Sequence, residues 1–300
     1  MHDAKNKIVT QEAWFAAHKA HLAREKELTR LRDRIAAERR DLPWLKIKKD
    51  YVFETERGPE RLGDLFKGNS QLIIYHFMFA PGSNHHCEGC AFISDHIDGA
   101  DLHLKHHDVS VVAVSRAPLA ELLPYKRRMG WKFDWVSSYA SDFNFDMQVS
   151  FTEKQLASGE TVYNFEKRAL KSRDLPGASV FYRDEAGDVF LTFIARSRGG
   201  DALIGAYHYL DMTPKGRNET GPAHALTDWV RLHDEYEEKR KSRTGAVIDG
   251  THVVPGMPCR PAYPQCPITA VSEMAASAST ASFQKSRRFL SPGQPSGLIS

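Results

Sequence analysis

QLIIYHFMFAPGSNHHCEGCAFISDHID, residues 71–98, runs from an apolar segment through a short loop into Cys87-Glu88-Gly89-Cys90 and then into a helix-like stretch. Strand, loop, CxxC and helix in that order put one cysteine where a helix begins and a second one turn further in. In this arrangement the first sulfur attacks and the second resolves. Unpaired N–H groups and the dipole at the helix start stabilise a thiolate at Cys87, lowering a pKa that is ordinarily about 8.5. Cys90 is expected to be more buried and less ionised. That asymmetry suits a cycle in which Cys87 forms a mixed disulfide and Cys90 displaces the substrate thiol, leaving Cys87 and Cys90 joined.

The flanking residues tune this couple. Glu88 puts a carboxylate beside the thiolate and raises the Cys87 pKa, while His85 and His86 lower it when protonated. Zinc sites use the same CxxC spacing, and His76, His96, His103, His106 and His107 also lie nearby. A metal site on Cys87, Cys90, His85 and His86 is therefore the alternative reading. Haem attachment requires a histidine after Cys90, where Ala91 stands. His106 and His107, at the end of the helix, are expected to meet its free carbonyls.

Working outward, Leu72 to Phe79, Val109 to Ser115, Trp135 to Ser138, Ala178 to Tyr182 and Val189 to Ile194 read as strands, the first two apolar on both faces. Cys87 to His107 and Pro118 to Met129 are helical in pattern, with Gly130 ending the second. Strands alternating with helices imply a βαβ sheet, and the last two strands, joined through Arg183 to Asp188, read as a hairpin. The sheet is then mixed. Trp131, Phe133, Trp135, Tyr139, Phe143, Phe145 and Phe151 form an aromatic run expected mostly in the core.

Both ends extend this body. Thr10 to Arg40 reads as a capped helix with Trp14, Leu22, Leu28, Leu31 and Ile35 at roughly helical spacing, so residues 1–42 are expected to form a docking helix. Residues 43–242 form the α/β domain, closed by a C-terminal helix over Ala223 to Lys241. Residues 243–300, rich in Pro, Ser and Ala, read as a flexible tail. Within it Pro255, Pro258, Pro261, Pro264 and Pro267 recur every third residue, the period of a polyproline II helix. That conformation keeps Cys259 and Cys266 too far apart to bridge, and the tail could serve instead as an interaction module docking on an aromatic groove.

Composition narrows the function. Lys+Arg of 41 against Asp+Glu of 38 leaves a formal charge of +3 without a basic block, so nucleic-acid binding has no support. The N-terminus lacks the apolar stretch of a secretory signal and no run is long enough to span a bilayer, so a cytoplasmic location is expected. Four cysteines in 300 residues are too few for a disulfide scaffold. Arg116, just after the strand VSVVAVS, lies at the sheet edge where Cys87 is expected and can assist a thiolate or an anionic substrate. Its other reading is a helix start, with Ser115 capping and Pro118 in the first turn. Arg173, before Leu175-Pro176-Gly177, has the same two readings.

The pieces YHFMFAPG…CEGCAF, VAVSRAP, YKRRMGWKFDWVSS, SDFNFD, LPGASVFY and LDMTPKGRNE, in this order, resemble the thioredoxin-like family of unknown function labelled predicted dithiol-disulfide oxidoreductases, from about Val9 to about Tyr236. The resemblance implies a thioredoxin-like mixed sheet flanked by helices, with Cys87 and Cys90 as the redox pair. A disulfide-containing substrate and a thiol reductant are the partners implied, and no bound organic cofactor is. More distantly the region is similar to peroxiredoxins, whose loop reads Pro-x-x-x-Thr-x-x-Cys. Here Pro81 stands six positions before Cys87 rather than seven, and no threonine occupies the loop. Thioredoxins also carry a cis-proline immediately before the strand beside the site; Pro176 stands slightly before that position, its isomer open.

Overall fold

Successive side chains of a strand point to opposite faces, so a segment apolar at every position must be covered on both sides. The computed structural model describes residues 7–84, 86–219 and 229–236. In chain order these form α1 (Gln11–Arg40), β1 (Leu45–Lys46), β2 (Val52–Thr55), β3 (Gly58–Arg61), β4 (Gln71–His76), α2 (Glu88–Lys105), β5 (Val109–Ser115), α3 (Leu119–Met129), β6 (Asp134–Ser137), α4 (Phe143–Asp146), α5 (Glu153–Ser158), β7 (Thr161–Tyr163), β8 (Glu166–Arg168), β9 (Gly177–Arg183), β10 (Val189–Arg196) and α6 (Gly205–Asp211).

Eight strands make one sheet in the order β1-β10-β9-β4-β5-β6-β2-β3. β4, β5 and β6 run parallel, linked by α2 and α3, and β9 pairs antiparallel with β4 on its other side. The turn through Arg183 to Asp188 returns the chain as β10, so the predicted hairpin and mixed sheet are present. Three parallel strands followed by an antiparallel hairpin, with a helix after each of the first two, make the fold thioredoxin-like α/β.

Alternation assigns the two cores. Leu72 and Ile74 of β4 join Val112 and Val114 of β5 on one face, with Phe53, Phe66, Phe143 and Phe181. Tyr75 and Phe77 join Val111 and Ala113 on the other, beneath α2 and α3, with Cys90, Ile93, Leu122, Tyr125 and Trp135. Every residue of β5 is buried, including two serines, and each serine is satisfied. Ser110 Oγ donates to the Phe66 carbonyl at 2.7 Å, and Ser115 Oγ donates to the Phe77 carbonyl at 2.8 Å while accepting from Trp135 Nε1 at 3.0 Å.

Local chemistry sets the helix ends. Thr10 caps α1 with its hydroxyl on the Ala13 N–H, as the sequence implies. None of the residues of α1 is buried, and Trp14, Leu22, Leu28, Leu31 and Ile35 are all exposed. Gly130, at φ 67°, ends α3 in the left-handed conformation expected of it. Ser115 does not cap α3: it ends β5, and the N-cap is Pro118, which has no side-chain bond to offer.

The C-terminal helix expected over Ala223 to Lys241 is not α-helical at residues 229–235. Trp229 is a bend, Val230 to Leu232 carry no regular structure, and a 3₁₀ turn, His233–Glu235, follows, with Tyr236 helical after it. Val230 and Leu232, at alternate positions, are 0% and 4% exposed, so burial here follows a spacing of two rather than the helical stripe. The remainder of Ala223 to Lys241 lies outside the described residues. So do the polyproline pattern, Cys259 and Cys266. Among the described residues no peptide bond is cis, so Pro176 is trans.

Candidate active site

The chain leaves β4 and is pinned to the neighbouring parallel strand before it reaches the cysteines. Phe77 N–H donates to the Val114 carbonyl and Ala117 N–H to the Phe79 carbonyl, both at 2.9 Å. Gly82 N–H donates to Glu121 Oε2 of α3 at 2.9 Å, which anchors the loop that follows. Cys87 is the N-cap of α2, with φ −67° and ψ 107°, and its sulfur accepts from the Cys90 N–H at 3.2 Å. A cysteine thus fills the place of the usual Ser or Asp cap, and the first helical turn solvates its sulfur.

The two cysteines are free, Cys87 partly exposed and Cys90 only 1% exposed. Their electrostatics diverge. Interaction with the Cys90 side chain and the N–H groups of Cys90 and Gly89 hold the Cys87 thiol below its ordinary pKa, against desolvation and the Glu88 charge. Burial first, then the Cys87 sulfur, push Cys90 well above its own. Of the two thiols, Cys87 is held toward ionisation and Cys90 away from it. Glu88→Gln removes the one opposing charge, so the Cys87 thiol titration is expected to move to lower pH; an unchanged or higher midpoint would refute this role.

Aromatic side chains surround the pair. The His86 ring centroid lies 3.9 Å from that of Tyr125 and 5.4 Å from that of Phe79, so it packs on these two core rings. His85 lies outside the described residues. Among the described residues no three His, Cys, Asp or Glu side chains are gathered in a metal-ligating arrangement, so the alternative metal site would depend on His85. His76 points to the opposite face of the sheet, where its Nε2 meets Ser179 Oγ at 2.8 Å. His96 spans from the Phe92 carbonyl to the Ala206 N–H.

The two arginines are engaged elsewhere. Arg116 makes a bidentate pair with Asp174, at 2.7 and 2.8 Å, and packs over the Phe145 ring. Ser150 Oγ also donates to Asp174, at 2.6 Å, so this ion pair ties the end of β5 to the segment before β9. Arg173 is more than half exposed and faces Glu153 at 3.4 Å. Sequence reasoning missed two tyrosines that share the core cluster of Cys90: Tyr75 on β4 and Tyr125 on α3 are buried, and neither hydroxyl has a hydrogen-bond partner. Alternation along β4 was the available signal, because it places Tyr75 on the face that α2 covers.

Residues 3–236 match the family described as "Bacterial protein of unknown function (DUF899)". Comparison with curated proteins gives no match. Among solved structures, the chain is similar to the peroxidoxin BcpB from Mycobacterium tuberculosis at 12% identity and a TM-score of 0.35, covering 54% of this chain and 94% of that one. A peroxiredoxin Q from Xanthomonas campestris is similar at 13% identity and a TM-score of 0.37, covering 57% and 91%. Thioredoxin peroxidase I of Plasmodium yoelii gives 16% identity and a TM-score of 0.34, covering 57% and 93%.

Proposed function

We propose that this chain, which belongs to the DUF899 family of bacterial proteins of unknown function, is a thiol–disulfide oxidoreductase with Cys87 as nucleophile and Cys90 as resolving cysteine. The observation that carries the reading is the contact across the first turn of α2, where the Cys90 N–H meets the Cys87 sulfur at 3.2 Å. It joins the two residues in one short helical turn and stabilises negative charge on the outer sulfur. The inner thiol is protonated and shielded until it is needed.

The chemistry follows from that division. The Cys87 thiolate attacks one sulfur of a substrate disulfide; a mixed disulfide forms and the first substrate thiolate leaves with the electron pair. Cys90 then loses its proton and attacks Cys87, the second substrate thiolate leaves, and Cys87–Cys90 is the oxidised product. Two electrons pass from protein to substrate, and a thiol reductant in a reducing compartment such as the cytoplasm returns them. Glu88 and His86 modulate the outer sulfur, and Arg116 holds the loop before β9 rather than touching it.

Two measurements on one sample test this. Equilibration of the full chain with glutathione buffers is expected to give a reversible two-electron couple confined to Cys87 and Cys90. Alkylation of the reduced protein is expected to titrate at Cys87 with a midpoint below the ordinary value of about 8.5: a thiol held down in pKa keeps its reactivity as pH falls to its own midpoint and loses it below. A pair that never closes to an intramolecular disulfide, under any buffer ratio, sinks the proposal.

A further inference from the structure

The resolving step sets a chemical problem, because Cys90 must become a thiolate in a place where burial opposes the charge. No carboxylate or imidazole is among the principal influences on its sulfur, which are the Cys87 sulfur, the Met78 backbone N–H and the Tyr75 hydroxyl. Tyr75 is 1% exposed and shares one buried cluster with Cys90, on the face of β4 that α2 covers. Its hydroxyl has no hydrogen-bond partner, although buried hydroxyls are costly to leave unsatisfied. Beyond burial itself, the charges it feels most are those of Cys90 and Cys87.

These facts fit one account. A neutral thiol is a weak acceptor and a thiolate a strong one. In the dithiol the hydroxyl has no partner, and ionisation of Cys90 supplies the acceptor it lacks. A phenol held well above its ordinary pKa by burial donates and does not abstract, so it is no base.

We propose that Tyr75 is a catalytic residue of the resolving step, its buried hydroxyl donating a hydrogen bond to the Cys90 thiolate. This rests on the exchange reaction proposed above. As the thiolate attacks, the Cys87–Cys90 bond forms and the bond from Cys87 to the substrate sulfur breaks. The substrate thiolate carries off the electron pair and takes a proton from solvent, balancing the one Cys90 released. The substrate is reduced, the pair is oxidised, and the Tyr75 proton stays on its oxygen.

Tyr75→Phe in the full chain tests it, with an aromatic disulfide as probe. Release of the first aromatic thiol reports attack by Cys87, and release of the second reports resolution by Cys90. The variant is expected to slow the second phase about tenfold, the loss of one hydrogen bond to a charged group, with much less effect on the first. In a Cys87→Ser background, the ultraviolet titration of the Cys90 thiolate is expected to move up by about one pH unit. The melting temperature of the reduced protein should hold or rise, because an unpaired buried hydroxyl has gone. A purely packing role predicts the reverse: a lower melting temperature and no selective change in the second phase. An unchanged second phase with an unchanged Cys90 titration overturns the proposal. A wild-type chain that never releases the second thiol overturns the exchange reading instead, so the two failures are distinguishable.

Discussion

Cys90→Ser, mixed with an aromatic disulfide, is expected to stop as a mixed disulfide on Cys87 and to release one equivalent of aromatic thiol where the native chain releases two. The nucleophile is intact in this variant. The serine keeps the backbone N–H that the Cys87 sulfur accepts from, so the first attack should proceed at close to the native rate. Resolution has no replacement, because an alcohol is far less acidic than a thiol, and the substrate remains attached. Cys87→Ser is expected to behave differently. It should lose the first phase by roughly a thousandfold or more, the scale on which loss of a covalent nucleophile is felt. Cys90 cannot substitute, since it is almost wholly buried and its proton is held tightly. Mass spectrometry of the intact protein distinguishes the adduct from the closed disulfide. Equal adduct formation in the two variants would refute the division of labour between the sulfurs.

The second large effect concerns stability. Asp174→Ala is expected to destabilise the chain by about 3–5 kcal/mol, the range found when one partner of a buried ion pair is removed. Both side chains of the Arg116–Asp174 pair are only 11% exposed, so the guanidinium left behind would lose its countercharge in a poorly hydrated place. Ser150 Oγ would lose its acceptor at the same time. For a domain of this size the melting temperature should fall by roughly 10 °C. Replacing both partners, Arg116→Met with Asp174→Leu, should recover most of the loss, because an apolar pair needs no compensation. The Cys87 titration should be unmoved in the double variant. A shift there would return Arg116 to the neighbourhood of the sulfur and refute its role as a strut.

The difference between what was legible and what was not follows from the range of each signal. Unbroken apolarity along Leu72 to Phe79 and Val109 to Ser115 is local, and it led to β4 and β5 and their two buried faces. The start of α2 at Cys87 was readable because a cap and its first turn lie within four residues. The hairpin of β2 and β3 was missed, although Tyr51, Phe53 and Thr55 are buried between exposed neighbours, because charged residues dominate that stretch. Arg116 and Asp174 stand 58 positions apart and share no period, so only the fold could bring them together. At residues 229–235 the helical spacing of Trp229, Val230, His233 and Tyr236 misleads for a related reason: the hydrophobic body buries Val230 and Leu232, two positions apart. Tyr75 was hidden in a run read only for its apolarity, where a phenol counts as one more ring until its oxygen is asked for a partner.

Helix α1 has thirty residues and buries none of them. Cooperative unfolding couples parts of a chain through shared buried surface, so this helix has little to couple with. Its amides should exchange with deuterium as those of an isolated peptide helix do, and its circular dichroism should fade over a broad range of temperature beneath the sharper transition of the sheet. Changes within α1 would then leave that sharper transition almost where it was.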